Sequence, residues 1–200
     1  MGLLIAFSQC LRSEPFTDPE RMRIPAVVCD QVAVSDQTLS VAKQCATRIM
    51  NSGGVDIEWI DVGGCRTEAS SFEDSKWPRE NYLLLVIAPD AFPGSATTDV
   101  MGFAPTSTGS YRRAYVFYNR IKAFTQMMAE MLSDVRAGVV LGHVIAHEMG
   151  HLLMPGEAHT TVGIMRADWD RRQWIDASAG RLLFSASQAS RMRATLLKFN

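Results

Sequence analysis

One short run, His147-Glu148-Met149-Gly150-His151 with His159 close behind, has the residue types and the spacing for metal chemistry. On an α-helix, side chains four apart lie about 40° apart around the axis and about 6 Å apart along it, so His147 and His151 project from one face. Two imidazoles so placed can share a cation. Glu148 leans toward the same cleft from the side, which suits a base that touches a metal-bound water without being a ligand itself. The chemistry expected is metal-assisted hydrolysis.

His159 is the expected third ligand, with Glu157 and Asp168 as competitors, since zinc sites also form from two histidines and a carboxylate. Three neutral imidazoles with one vertex left to water make a catalytic site for a single zinc ion, whereas a closed structural site normally recruits a fourth protein ligand, usually Cys. The four cysteines, Cys10, Cys29, Cys45 and Cys65, lie in the first third of the chain and form no Cys-x-x-Cys pair. His143 stands one turn before His147 and extends the row. Three ligands in a straight row cannot surround a tetrahedral ion, so His143 is assigned a hydrogen-bonding role behind the site or in the core.

These side chains need a rigid carrier. The segment from 133 or 134 to about 154 reads as a helix with a capping-type residue at its start, and Val135, Val139, Val140, Val144, Ile145, Met149, Leu152 and Leu153 make it apolar on most sides, hence buried. Two histidines and a glutamate buried there without partners would cost about 1 to 3 kcal/mol each, which a metal relieves. Pro155 and Gly156 stop the helix and let the chain turn back to offer His159.

This pattern resembles the metzincin clan of zinc peptidases, and most of all its matrixin-like branch. The clan carries His-Glu-x-x-His-x-x-Gly-x-x-His followed by a Met-turn, matched here at His147, Glu148, His151, Gly156, His159 and Met165. One departure is the run Leu152 to Pro155, which puts four residues where the clan has two and brings the third His two positions late. The resemblance implies a zinc metalloendopeptidase with Glu148 as general base and Met165 as a floor beneath the metal. It implies an α/β (α+β) fold in a single domain: a twisted mixed sheet with an edge strand beside the cleft, the active-site helix, the Met-turn and a C-terminal helix. The chain is also similar to small bacterial proteins of this type, with a βαβ-like first half and the zinc helix later.

Residues 1–25 read as an irregular arm and 26–200 as the single catalytic domain. Residues 26–34 are a strand candidate, 39–50 a helix with Val41, Ala42, Cys45, Ala46 and Ile49 inward, and 55–62 a second strand; the natural packing of such a unit is parallel, with a right-handed crossover. Residues 63–79 form a polar loop. The continuous apolar run 82–88 is expected as a central strand buried on both faces, and 89–109, rich in Gly, Pro, Ser and Thr, as surface wrapping. Residues 111–121 read as another strand, either an ordinary core strand or, as the resemblance implies, the edge strand that would hold an extended peptide by strand addition. Met127, Met128 and Met131 in 124–132 are expected as core filler, 168–172 is charged around Trp169, and 187–199 is a closing helix carrying Ala189, Met192, Leu196 and Leu197. Tyr111, Tyr115 and Tyr118 are candidate oxyanion partners, with nothing to choose among them.

Composition excludes some functions. Two hundred residues, 47% apolar, suit one ordinary domain, so zinc is needed for chemistry rather than for folding. A net charge of −1 gives no basic field for phosphate backbones, so nucleic acid is not an expected partner. No apolar stretch approaches the roughly 20 residues of a membrane span. Residues 2–7 are apolar but too short for a secretory signal, so the expectation is a cytoplasmic protein, or a secreted or periplasmic one if its natural start carries a signal. The cysteines allow either two disulfides or buried thiols. The expected partner is a peptide or protein substrate; a zinc-holding peptide-binding module without turnover, and a zinc hydrolase of a non-peptide amide or ester, are the rival functions.

Overall fold

In the computed structural model the described residues are 22–62, 81–90, 100–105, 112–129, 136–156 and 159–198. The chain enters the sheet with β1 (Met22–Asp30), four residues earlier than the sequence predicts. It also leaves it earlier. The Asp30 carboxylate accepts from the backbone N–H of Val32 at 2.9 Å and of Val34 at 2.7 Å, a local turn that competes with further pairing. The arm assigned to 1–25 therefore loses its last four residues to β1, and the rest of it lies outside the described residues.

Ser35 caps α1 (Asp36–Ser52) by accepting from the Thr38 N–H, and Asp36 adds a favourable charge to the first turn. Ala42, Cys45, Ala46, Ile49 and Met50 form its buried face. Gly54, at φ +77°, turns the chain directly into β2 (Val55–Asp61), which runs parallel to β1. The βαβ unit is as expected.

β3 (Leu83–Ala88) is buried at every position, as a central parallel strand covered on both faces must be. β4 (Gly102–Phe103) and β5 (Arg112–Phe117) complete a five-stranded sheet of order β2-β1-β3-β5-β4 among the described residues. β1, β2, β3 and β5 are parallel, and only β4 runs antiparallel, paired Gly102 to Val116 and Phe103 to Tyr115. This corrects the edge assignment: β5 lies inside the sheet, and among the described residues the strand at the margin beyond it is β4, within the stretch that reads as surface wrapping. The segment 111–121 is also not one strand, because the chain turns at α2 (Tyr118–Ala129), where Ile121 and Met128 are buried. Met127 is 54% exposed and so is not core filler, while Met131 lies outside the described residues.

The main core lies on one face of the sheet, beneath α1 and α3 (Ala137–Leu153). A smaller cluster of Val27, Cys29, Tyr82, Leu84 and Val86 covers the other face. α3 starts at Arg136 with no side-chain cap, later than expected, and gains its stability from burial instead. Two of its glycines allow close approach to α1: a Cβ on Gly138 would lie 2.8 Å from Val41 Cβ, and one on Gly142 would lie 2.5 Å from the Ala42 carbonyl oxygen. α4 (Arg171–Ser178) begins at the end of the charged stretch 168–172 and runs past it, and α5 (Ala186–Leu196) closes the chain with Leu197 exposed beyond it.

Cys29 and Cys45 are both disulfide-bonded, which removes the buried-thiol alternative for these two. They are not bonded to each other, since Cys29 belongs to the smaller cluster and Cys45 packs against Gly142 across the sheet. Cys10 and Cys65 lie outside the described residues. No helix among the described residues is long and apolar enough to cross a membrane.

Candidate metal centre

α3 is buried over most of its length, and its C-terminal half carries His147, Glu148 and His151 into a cleft of about 640 Å³. The helix continues to Leu153, and Gly156 at φ +81° reverses the chain. His159 then returns to the other two histidines in spite of the longer spacing. Its Nε2 lies 3.2 Å from His151 Nε2, which in turn lies 3.1 Å from His147 Nε2. The ligating atoms of all three fall within 4.8 Å of one another.

The two separations made by His151, 3.1 and 3.2 Å, fit a metal. Tetrahedral zinc with Zn–N bonds of about 2.0–2.1 Å holds its ligand nitrogens about 3.3 Å apart. The tautomer fits too: His147 Nδ1 donates to the Ile164 carbonyl at 2.7 Å, which fixes its proton there and leaves the Nε2 lone pair facing the cluster. Burial, aided by the neighbouring histidines, lowers the pKa of His147 to about 4, and burial with His159 nearby lowers that of His151 to about 4. Both rings are neutral at pH 7, as a ligand must be.

Ile164 belongs to a tight turn that also seats Met165. The turn is closed by the Thr160 N–H donating to Met165 O at 2.8 Å and held at Gly163 by φ +71°. Met165 is buried, and its sulfur packs so closely on α3 that a Cβ on Gly150 would lie 2.6 Å from it. Gln188, buried on α5, donates from Nε2 to Thr160 Oγ1 at 3.1 Å while its Oε1 accepts from the Ser185 N–H. α5 thus braces the turn on which the His147 proton rests. Sequence reading missed Gln188, although Ser185-x-x-Gln188 is a capping-box signature.

Glu148 is 5% exposed and lines the cleft, and burial raises its pKa to about 8. A divalent cation beside it would draw that value down again. Gly102 of β4 lies against Glu148, Phe103 follows it along the cleft, and Phe124, Trp169 and Trp174 form an aromatic wall of the same cleft. The ring centroids of Phe124 and Trp174 are 4.6 Å apart and those of Trp169 and Trp174 5.0 Å apart. Both indole N–H groups donate to backbone carbonyls, of Ile164 and of Trp169, which leaves the wall apolar. None of these aromatic residues was singled out for the cleft from sequence.

The remaining candidates fall elsewhere. His143 is fully buried, donates from Nδ1 to Val139 O at 2.8 Å, and leaves Nε2 without a partner; it is not in the histidine cluster. Asp168 is exposed at the rim of the cleft and outside the cluster, and Glu157 lies outside the described residues. Tyr115 faces the smaller core cluster and accepts from Arg113, and Tyr118 packs on the main core; neither lines the cleft, and Tyr111 lies outside the described residues.

No protein-family model matches the chain, and no curated protein matches it. Among solved structures, it is similar to archaemetzincin from Methanopyrus kandleri, with a TM-score of 0.51 over 89% of this chain and 97% of that one. Identity is 14%, so the likeness concerns the fold: a metzincin-like mixed α/β domain. The finer, matrixin-like resemblance rests on the sequence motif alone.

Proposed function

We propose that this chain is a zinc-dependent peptidase that hydrolyses peptide bonds by water attack, with His147, His151 and His159 as the zinc ligands and Glu148 as the general base. The observation that carries the reading is the convergence of three imidazole Nε2 atoms beside a buried carboxyl group in an open cleft. Zinc held there supplies Lewis acidity, which lowers the pKa of water and polarises a carbonyl. Glu148 takes the proton of the attacking water and returns it to the leaving amine. The Ile164 carbonyl keeps the His147 ring in the ligating tautomer, and Met165 supports α3 from below.

A peptide substrate is favoured over other amides by β4, whose pairing to β5 occupies one side of a strand that borders the cleft. An extended peptide laid along β4 would gain main-chain hydrogen bonds and bring its scissile bond over the histidines. The disulfides at Cys29 and Cys45 favour an oxidising compartment, the secreted or periplasmic alternative.

The test combines metal analysis and turnover. Purified protein is expected to hold about one zinc per chain, and His147→Ala, His151→Ala or His159→Ala to lose it. Glu148→Gln is expected to keep zinc and lower cleavage of a mixed peptide library by about 100-fold or more. Zinc content unchanged in the histidine variants removes the ligand set, and a zinc-loaded wild type that cleaves nothing leaves a peptide-binding module.

A further inference from the structure

Glu148 makes no side-chain hydrogen bond or ion pair among the described residues, so packing alone sets where its carboxyl group lies. The wall it packs on is the backbone of β4. A Cβ placed on Gly102 would lie 2.5 Å from Glu148 Oε1, 2.7 Å from its Cγ and 2.8 Å from its Cδ. Three contacts along one side chain mean that Glu148 lies flat across Gly102, in the space that any other residue's side chain would fill. The φ of Gly102 is not positive, so the backbone there does not itself require glycine. The requirement comes from Glu148.

We propose that Gly102 is a positioning residue: by presenting bare backbone at the sheet margin, it reserves the slot that holds the Glu148 carboxyl group at the mouth of the histidine cluster. A side chain at 102 must push the carboxyl group about 0.9 Å to restore the 3.4 Å of ordinary contact. Real packing resists such a shift, because interiors are dense and β4 is fixed by its pairing to Val116. The consequence for turnover rests on Glu148 being the general base; the steric coupling does not.

Gly102→Ala, made in the wild type and in a Glu148→Ala background, separates the two. In the wild type it is expected to lower Tm by about 3 to 9 °C, and in the Glu148→Ala background by less than about 1 °C, since the clashing atoms are gone. With zinc content unchanged, kcat of Gly102→Ala is expected to fall about 100-fold, the size of loss that displacing a reacting group by about 1 Å can cause. Equal Tm losses in both backgrounds overturn the proposal, and so does a wild-type kcat in a variant whose Tm coupling is intact. If Gly102→Ala alone does not fold, a folded double variant supports the proposal and an unfolded one overturns it. A zinc-loaded wild type without turnover refutes the peptidase reading alone, and the Tm comparison still decides the role of Gly102.

Discussion

Stripped of metal, the protein is expected to carry a pH-dependent weakness at Glu148 that a single isosteric substitution removes. Burial raises this carboxyl group from 4.5 to about 8, and a group whose folded pKa lies above its unfolded value stabilises the fold below the unfolded value and loses that contribution as pH rises through the folded one. The folded state holds a proton that the unfolded state has released, so stability falls across the window from pH 4.5 to 8. Integrated over that window, the loss is about 1 kcal/mol by pH 5 and about 4 kcal/mol by pH 8. With only 5% of the residue exposed, solvent screening removes little of this. Gln at 148 keeps the shape and does not titrate. Urea unfolding in EDTA is therefore expected to show Glu148→Gln gaining about 3 kcal/mol on the wild type between pH 5 and pH 8, the histidine contributions cancelling because both proteins share them. Parallel stability curves would refute the reasoning, since they require a carboxyl group that is solvated or already ionised in the fold.

His143 should show the opposite slope. Burial lowers its pKa from 6.5 to about 4, so its contribution is complete above pH 6.5 and is lost as pH falls; His143→Leu is expected to spare the metal-free protein about 3 kcal/mol of destabilisation by pH 4 in urea titrations, and to cost little at pH 7 because the unpartnered Nε2 goes with the ring. Reduction of the disulfides at Cys29 and Cys45 is expected to cost about 2 to 4 kcal/mol for each bond, read as a drop in Tm with dithiothreitol; an unchanged Tm would mean that neither bond constrains the unfolded chain.

The parts of this molecule that were legible in the sequence are those whose physics is local. Apolar spacing in 39–50 sufficed for α1, and the unbroken run Leu83–Ala88 sufficed for a strand covered on both faces. His147 and His151 follow from helical geometry alone. β4 did not show, because two residues are too short for any period and its partner lies beyond an intervening segment. The sequence points instead to 111–121, where β5 passes into α2 at Tyr118 with no Gly or Pro to mark the break. α4 was overlooked although Asp170 and Gln173 form a capping box, a signal that needs no tertiary structure.

The site itself divides along the same line. Its donors are fixed by spacing along one helix and the turn after it, but the atoms that tune them come from elsewhere: the Ile164 carbonyl on His147, Gln188 beneath Thr160, Gly102 against Glu148. A glycine in a loop-like stretch looks the same in sequence whether it serves a turn or a neighbour's side chain. Backbone and packing distinguish them, since turn glycines such as Gly54 and Gly156 have positive φ, whereas Gly102 does not and the space a Cβ would take there is filled by the Glu148 side chain. For Gly102 the constraint is therefore spatial, and it acts on the carboxyl group that the proposed chemistry needs in one place.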